Sequence, residues 1–219
     1  MLASQLVNTH YPSIHLQDKV SFGLQLMEDY DIQHLPVLNE ETFIGIVAKD
    51  DLLDNDEAAP ISALEEQLIK RSIKQNEFFL AALKQASQFQ LSLVAITNEQ
   101  QELSGIITLS TLLQQVSVFV GNEEPGGLIV VEMDKRNFSF GEISRLVETN
   151  DAYITQLNTY TDAETGLVIV SIKINKSEIS DILTTFQRYD YQVRYYFGEE
   201  QYANELKENY NHLISYLNI

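Results

Sequence analysis

Apolar residues recur along this chain in two rhythms. From residue 18 the spacing is helical: Val20, Leu24 and Met27, with Phe22 and Leu26 beside them, form a stripe at the α-helical period, and Asp18 stands where an N-cap carboxylate would open the helix. After Asp31 the rhythm tightens to short apolar runs, LPVL at 35–38 and FIGIV at 43–47, divided by the polar turn NEET, which predicts a pair of strands. Asp50 and Asp51 then begin a short helix through Leu52 and Leu53, where early carboxylates suit the positive end of the helix dipole. A short helical stretch from Leu2 to Val7 and an extended piece through Pro12 and Ile14 come before the first long helix.

The same order returns about sixty residues later, and self-similarity at a fixed period indicates a structural repeat. Asn76 takes the place of Asp18, Phe78 that of Val20, Ala81 that of Gly23 and Leu93-Val94 that of Leu35-Pro36, an offset of 58. Past the second turn, TNEQQELS, GIIT at 105–108 lies over GIVA at 45–48 and TLL at 111–113 over DLL at 51–53, an offset of 60. This expects a turn two residues longer, an insertion that a surface loop absorbs more readily than a core. DNDEAAP and SALEEQLIKRSIK read as linker and crossover, so residues 1–58 and 59–120 form the two repeats.

GNEEPGG at 121–127 marks a boundary. Beyond it LIVVEM at 128–133 reads as a strand. Phe140, Ile143, Leu146 and Val147 share a helical face, with Ser139 as cap and Glu142 completing a capping box. Tyr153 to Tyr160 alternates as a strand, DAETG turns the chain, and LVIVSIKI at 167–174 runs back. A helix starting near Ser177 buries Ile179, Ile182, Leu183 and Phe186, and QVRYYF at 192–197 is the last strand. The βαββαβ order over 127–198 predicts a four-stranded antiparallel sheet with both helices on one face, the ferredoxin-like arrangement, so the fold class is α+β. Tyr202, Leu206, Tyr210, Leu213 and Leu217 form a further stripe, a C-terminal amphipathic helix over 199–219 that caps its own domain or meets a partner.

Composition narrows the chemistry. Fourteen Lys plus Arg face 32 Asp plus Glu, a net charge of −18, spread as 6 basic and 16 acidic residues over 1–120 and 8 and 16 over 121–219. Such a field repels phosphate backbones and anionic membranes, so neither nucleic acid nor membrane is expected as a partner. With no Cys there is no thiolate nucleophile and no Cys-ligated zinc. No apolar run approaches the roughly 20 residues of a membrane helix. MLASQLVNTHYPS lacks a basic start and a long apolar core, so the cytoplasm is the expected compartment. His10, His15, His34 and His212 fall in no HExxH spacing, no Ser lies in a GxSxG elbow, and the acid run Asp50, Asp51, Asp54, Asp56, Glu57 lacks the glycine and final glutamate of an EF-hand loop. No catalytic residue and no metal is expected.

Met27, Leu35-Pro36-Val37 and Gly45-Ile46-Val47-Ala48-Lys49-Asp50-Asp51, with Leu93-Val94 and Gly105-Ile106-Ile107-Thr108-Leu109-Ser110-Thr111 in the second copy, resemble the cystathionine-beta-synthase (CBS) domain; two in tandem resemble a Bateman module. The βαββαβ unit behind them resembles an ACT domain, a combination similar to acetoin-utilisation-type CBS/ACT regulators. In that family the hydroxyl of the G-h-x-T/S-x-x-D segment meets phosphate and its aspartate the ribose hydroxyls. The resemblance thus implies a site from Gly45 and Asp51 in the first copy and Gly105 and Thr108 in the second, with His34 lining the cleft, and Lys49 offers the first site a point charge for phosphate. The first copy has Ala48 where the hydroxyl belongs and the second Thr111 where the carboxylate belongs. Losing one such contact costs about 1–3 kcal/mol, one to two decades of affinity. The ACT turn has Asp134-Lys135-Arg136-Asn137-Phe138-Ser139 where amino-acid binders usually carry Pro and Gly, leaving Arg136 and Asn137 to meet a carboxylate. The resemblance implies a non-enzymatic, homodimeric regulator that needs no cofactor, takes AMP, ADP, ATP or S-adenosylmethionine as regulatory ligand and signals to a partner protein, or else a ligand-free scaffold.

Overall fold

A computed structural model describes residues 1–198, so the expected helix over 199–219 lies outside the described residues. The chain divides into two compact units between Val116 and Ser117. The first holds two copies of one motif. In copy one, β1 (Ile14–His15), α1 (Val20–Asp29), β2 (His34–Asn39), β3 (Thr42–Ala48) and α2 (Lys49–Leu53) follow in order. Copy two repeats this as β4 (Ile73–Lys74), α3 (Leu80–Phe89), β5 (Leu93–Thr97), β6 (Leu103–Thr108) and α4 (Leu109–Phe119). Each builds a three-stranded sheet, β1-β2-β3 or β4-β5-β6, with a parallel first pair and an antiparallel second.

The repeat is real, but its register corrects the sequence reading. Ile14 pairs with Val37 and Ile73 with Ile96, an offset of 59 rather than 58. In the helices Val20, Gly23 and Met27 are buried in copy one and Phe79, Ala82 and Ala86 in copy two. Phe78 and Phe79 are adjacent and both apolar, so hydrophobic pattern alone does not choose between them; the fold buries Phe79 and leaves Phe78 42% exposed. Gly45 and Gly105 pair with Val37 and Ile96, an offset of 60, so the second hairpin turn gains one residue, not two. Asp18 is not the N-cap of α1. Its Oδ2 accepts from the His15 N–H at 2.7 Å, and Glu77 accepts from Lys74 N–H at 2.9 Å in the same place of copy two, so both carboxylates close the turn leaving the short first strand.

The packing units exchange their leading segments. The expected helix from Leu2 to Val7 is a single 3-10 turn, Ala3–Gln5, and Ala3 is buried in the second core with Ile73, Phe79 and Ala82. The matching 3-10 turn Ile61–Leu64 sends Ile61 and Leu64 into the first core with Ile14, Val20 and Met27. Further along, Asn8 pairs with Ile106 and Ile69 with Ile46, reciprocal antiparallel bridges through their backbone N–H and C=O groups. Phe43, Ile46, Leu91, Leu93, Ala95 and Ile106 from both copies complete a shared core. The exchange is reciprocal, each copy receiving the segment that leads the other.

The second unit runs β7 (Gly127–Met133), α5 (Phe140–Glu148), β8 (Ile154–Thr161), β9 (Val168–Ile174), α6 (Ser180–Arg188) and β10 (Gln192–Phe197). Its antiparallel sheet has the order β10-β7-β9-β8. Ile129, Val131, Val170 and Ile172 form one core with Ile143, Leu146 and Val147 of α5 and Ile182, Leu183 and Phe186 of α6, which puts both helices on the same face. Ser139 Oγ caps α5 by accepting from Glu142 N–H at 3.3 Å. The Glu142 carboxylate accepts from the Tyr191 hydroxyl at 3.1 Å instead of closing back on the cap, so of the expected capping box the Ser139 half forms. Asp162 closes the DAETG turn, accepting from Glu164 and Thr165 N–H.

Candidate functional site

β2 begins at His34, opposite Ala48 at the end of β3, and β5 begins at Leu93, opposite Thr108 at the end of β6. Equivalent backbone bonds pin each helix start to the chain before the preceding strand: Lys49 N–H donates to Gln33 O and Leu109 N–H to Ser92 O, both at 2.9 Å. Between the copies the His34 ring meets Ser92. Its Nδ1 lies 2.8 Å from Ser92 Oγ and accepts from Ser92 N–H at 3.3 Å. A nitrogen that accepts from a backbone N–H carries no proton, so the neutral ring is protonated at Nε2. Burial pushes His34 below the usual histidine range, while the Asp51 and Asp50 carboxylates act in the opposite direction. The Tyr11 hydroxyl donates to His34 O at 3.3 Å, and burial raises that phenol to about 12.

The remaining predicted residues divide between this joint and a structural role. Asp51 lies close enough to act on His34 electrostatically, and its Oδ2 accepts from Ala48 N–H at 3.3 Å. Thr108 stands at the start of α4 within a hydroxyl cluster, 2.8 Å from Ser110 Oγ and 2.9 Å from Thr111 Oγ1, and accepts from Thr111 N–H. Lys49 contributes its backbone N–H to the Gln33 bond. Gly45 and Gly105 make room for chain rather than ligand. A Cβ on Gly45 would lie 2.8 Å from Leu68 Cβ; on Gly105, whose φ is +139°, it would lie 2.4 Å from Val7 and 2.6 Å from Asn8 O. Those neighbours are the crossing segments, so the motif glycines serve the exchange of leading segments. Sequence reasoning missed Ser92, the residue before the LVAI strand, and Ser110, visible only as the middle hydroxyl of T-L-S-T.

In the second unit Arg136 is tied to Asp134, two residues earlier, through its backbone N–H at 2.9 Å and its guanidinium at 3.1 and 3.3 Å. These bonds hold the Asp134 carboxyl below its usual range. Asn137 donates its N–H to Asp134 O, and with Arg136, Ser139, Glu142 and Tyr191 it borders a cavity of about 470 Å³. Among the described residues no group of three or more His, Asp or Glu is arranged to hold a metal ion, and no helix is long and apolar enough to cross a membrane.

Paired βαββα repeats with reciprocal crossing segments have the form of a CBS-domain pair, and residues 3–57 match the CBS domain family model. A CBS domain pair/ACT domain protein from Thermotoga maritima is similar in structure, with a TM-score of 0.50 and 21% identity over 55% of this chain and 99% of that one. The CBS domains of a transcriptional regulator from Streptococcus pneumoniae match with a TM-score of 0.46 and 18% identity, over 52% of this chain and 98% of that one.

Proposed function

We propose that the first unit is a regulatory module that senses an adenosine-type nucleotide in the cleft between its two copies, and that the second, an ACT-like domain, passes the change to a partner protein. The observation that carries this reading is the His34–Ser92 bond between the copies, with Asp51 and the Thr108 cluster at the matching strand ends on either side. Asp51 would accept from ribose hydroxyls, Thr108 would donate to phosphate at the start of α4, and Lys49 would add a point charge. The ligand is AMP, ADP, ATP or S-adenosylmethionine, held weakly because neither copy has both the hydroxyl and the carboxylate. It acts by favouring one packing of the copies over the other, and only its differential affinity for the two shifts the balance. The protein works as a homodimer; Leu53 and Leu113, 60% and 59% exposed, support an apolar contact between copies of the chain.

A ligand-free scaffold is the second reading, and one observation favours it. Asp51 and Thr108 already accept from the N–H groups of their own helix starts, so each has a partner without a ligand. Thermal unfolding with each of the four adenosine compounds decides between the two. Binding to the folded state must raise the midpoint by mass action, and Asp51→Asn or Thr108→Val should weaken that response by about one to two decades in ligand concentration. No rise at millimolar nucleotide leaves the scaffold.

A further inference from the structure

Away from the His34 joint, a cavity of about 350 Å³ opens beside α3, lined in part by Arg71, Ser72, Glu77, Lys84, Gln85 and Phe89. Gln85 is 8% exposed, and its Nε2 is closed off from solvent with no acceptor in reach. The equivalent position in copy one, at the offset of 59, is Leu26, which packs against the first core. Helix geometry therefore asks for an apolar residue here, and a glutamine amide buried without a partner is costly unless something else accepts from it. Ser72 is already engaged with Thr97 at 3.0 Å, and Glu77 with Lys74 N–H.

The charges point the same way. Arg71 lies 5.8 Å from the centre of the Phe89 ring, and among the described residues neither Arg71 nor Lys84 forms an ion pair. Two such cations against the single Glu77 carboxylate leave the cavity net positive in a chain whose overall charge is −18. Copy one has Pro12 and Gln25 at the corresponding positions.

We propose that this cavity binds a small organic carboxylate. Gln85 turns its amide from that closed-off position toward the cavity, so that one carboxylate oxygen accepts from Nε2, while Arg71 and Lys84 balance the charge and the apolar or aryl part lies against Phe89. The volume falls at the small end of ligand pockets, which suits a compact molecule. A single carboxylate matches the surplus of one positive charge, whereas a polyphosphate exceeds it. No residue of this site belongs to the nucleotide cleft proposed above, so either can fail alone.

The test uses the full chain with benzoate as probe and inorganic phosphate as the competing anion. Benzoate titrated through the millimolar range should move the Gln85 side-chain amide resonances and raise the thermal midpoint. Gln85→Leu, which installs the residue of copy one, should keep the fold and abolish the rise, and Arg71→Ala should weaken the response about tenfold. Should Gln85→Leu not fold, the double variant Arg71→Ala, Lys84→Ala, which alters only exposed side chains, should abolish the amide shift instead. Unmoved Gln85 resonances overturn the proposal, as does a response that survives in the variants. An equal response to inorganic phosphate overturns it too, since it marks a non-selective anion patch.

Discussion

The His34 imidazole accepts at Nδ1 from Ser92 N–H, which only a neutral ring can do. A proton there would face another proton, and burial already disfavours the charged form despite Asp51 and Asp50. The folded pKa is therefore depressed, while in the unfolded chain an ordinary histidine titrates at about 6.5. As pH falls through that value the unfolded state binds the proton first, so stability holds above it and declines below it, levelling only once the folded pKa is passed. Denaturant unfolding between pH 7.5 and 5 should show a steeper acid-side loss for the natural chain than for His34→Gln, whose amide oxygen can still accept from Ser92. Equal slopes in the two proteins would refute the assignment. His34, Asp51 and Thr108 were legible in the sequence because each sits at a fixed place in a repeated motif. Ser92 was not, since its partner lies 58 residues away and only folding brings them together. The glycines were legible as motif members but not as crossing points, because the atoms they avoid belong to segments distant in sequence.

Strands and helices test the same distinction between glycines. Gly105 sits in β6 at φ +139°, against Val7 and Asn8 of the crossing segment, whereas Gly141 lies in the first turn of α5, where a Cβ would have nothing within 4 Å. Gly105→Ala meets both strain and overlap, and should cost about 2–4 kcal/mol. Gly141→Ala meets neither, and should gain up to about 1 kcal/mol from helix propensity. Urea unfolding of the two variants checks the opposite signs; a tolerated Gly105→Ala would mean that the crossing segment is not held at β6. The elements themselves were readable, since the apolar period separates α1 and α3 from the strands that follow. Register within the repeat was not, because Phe78 and Phe79 offer the pattern two equal choices and the long turn hides a one-residue shift. The pairing of β4 with β5 shows the offset of 59, and at that offset Phe79 is the residue that enters the second core.

Exchange of the leading segments makes each copy depend on the other. The N-terminal stretch gives the second copy Ala3, backbone bonds from Ala3 N–H to Glu77 O and Ser4 N–H to Gln75 O, and both bonds between Asn8 and Ile106. At roughly 1 kcal/mol net for each bond, together with the burial lost, removing residues 1–8 should cost several kcal/mol, a large part of the total stability of a typical domain, about 5–15 kcal/mol. The damage should not stay in copy two. Ile106 belongs to the shared core with Phe43 and Ile46, so copy one loses its support as well. The βαββαβ unit draws its core cluster entirely from residue 129 onward and should keep its fold. Amide hydrogen exchange on the shortened chain can separate these outcomes: protection should collapse at Ile46, Ile96 and Ile106 while persisting at Val131 and Val170. Retained protection at Ile106 would mean that the copies stand alone, and ligand-driven repacking at their joint would then have no structural basis. Collapse confined to the first unit would show instead that its two copies form one cooperative element, the property that lets binding at one strand end be felt at the other.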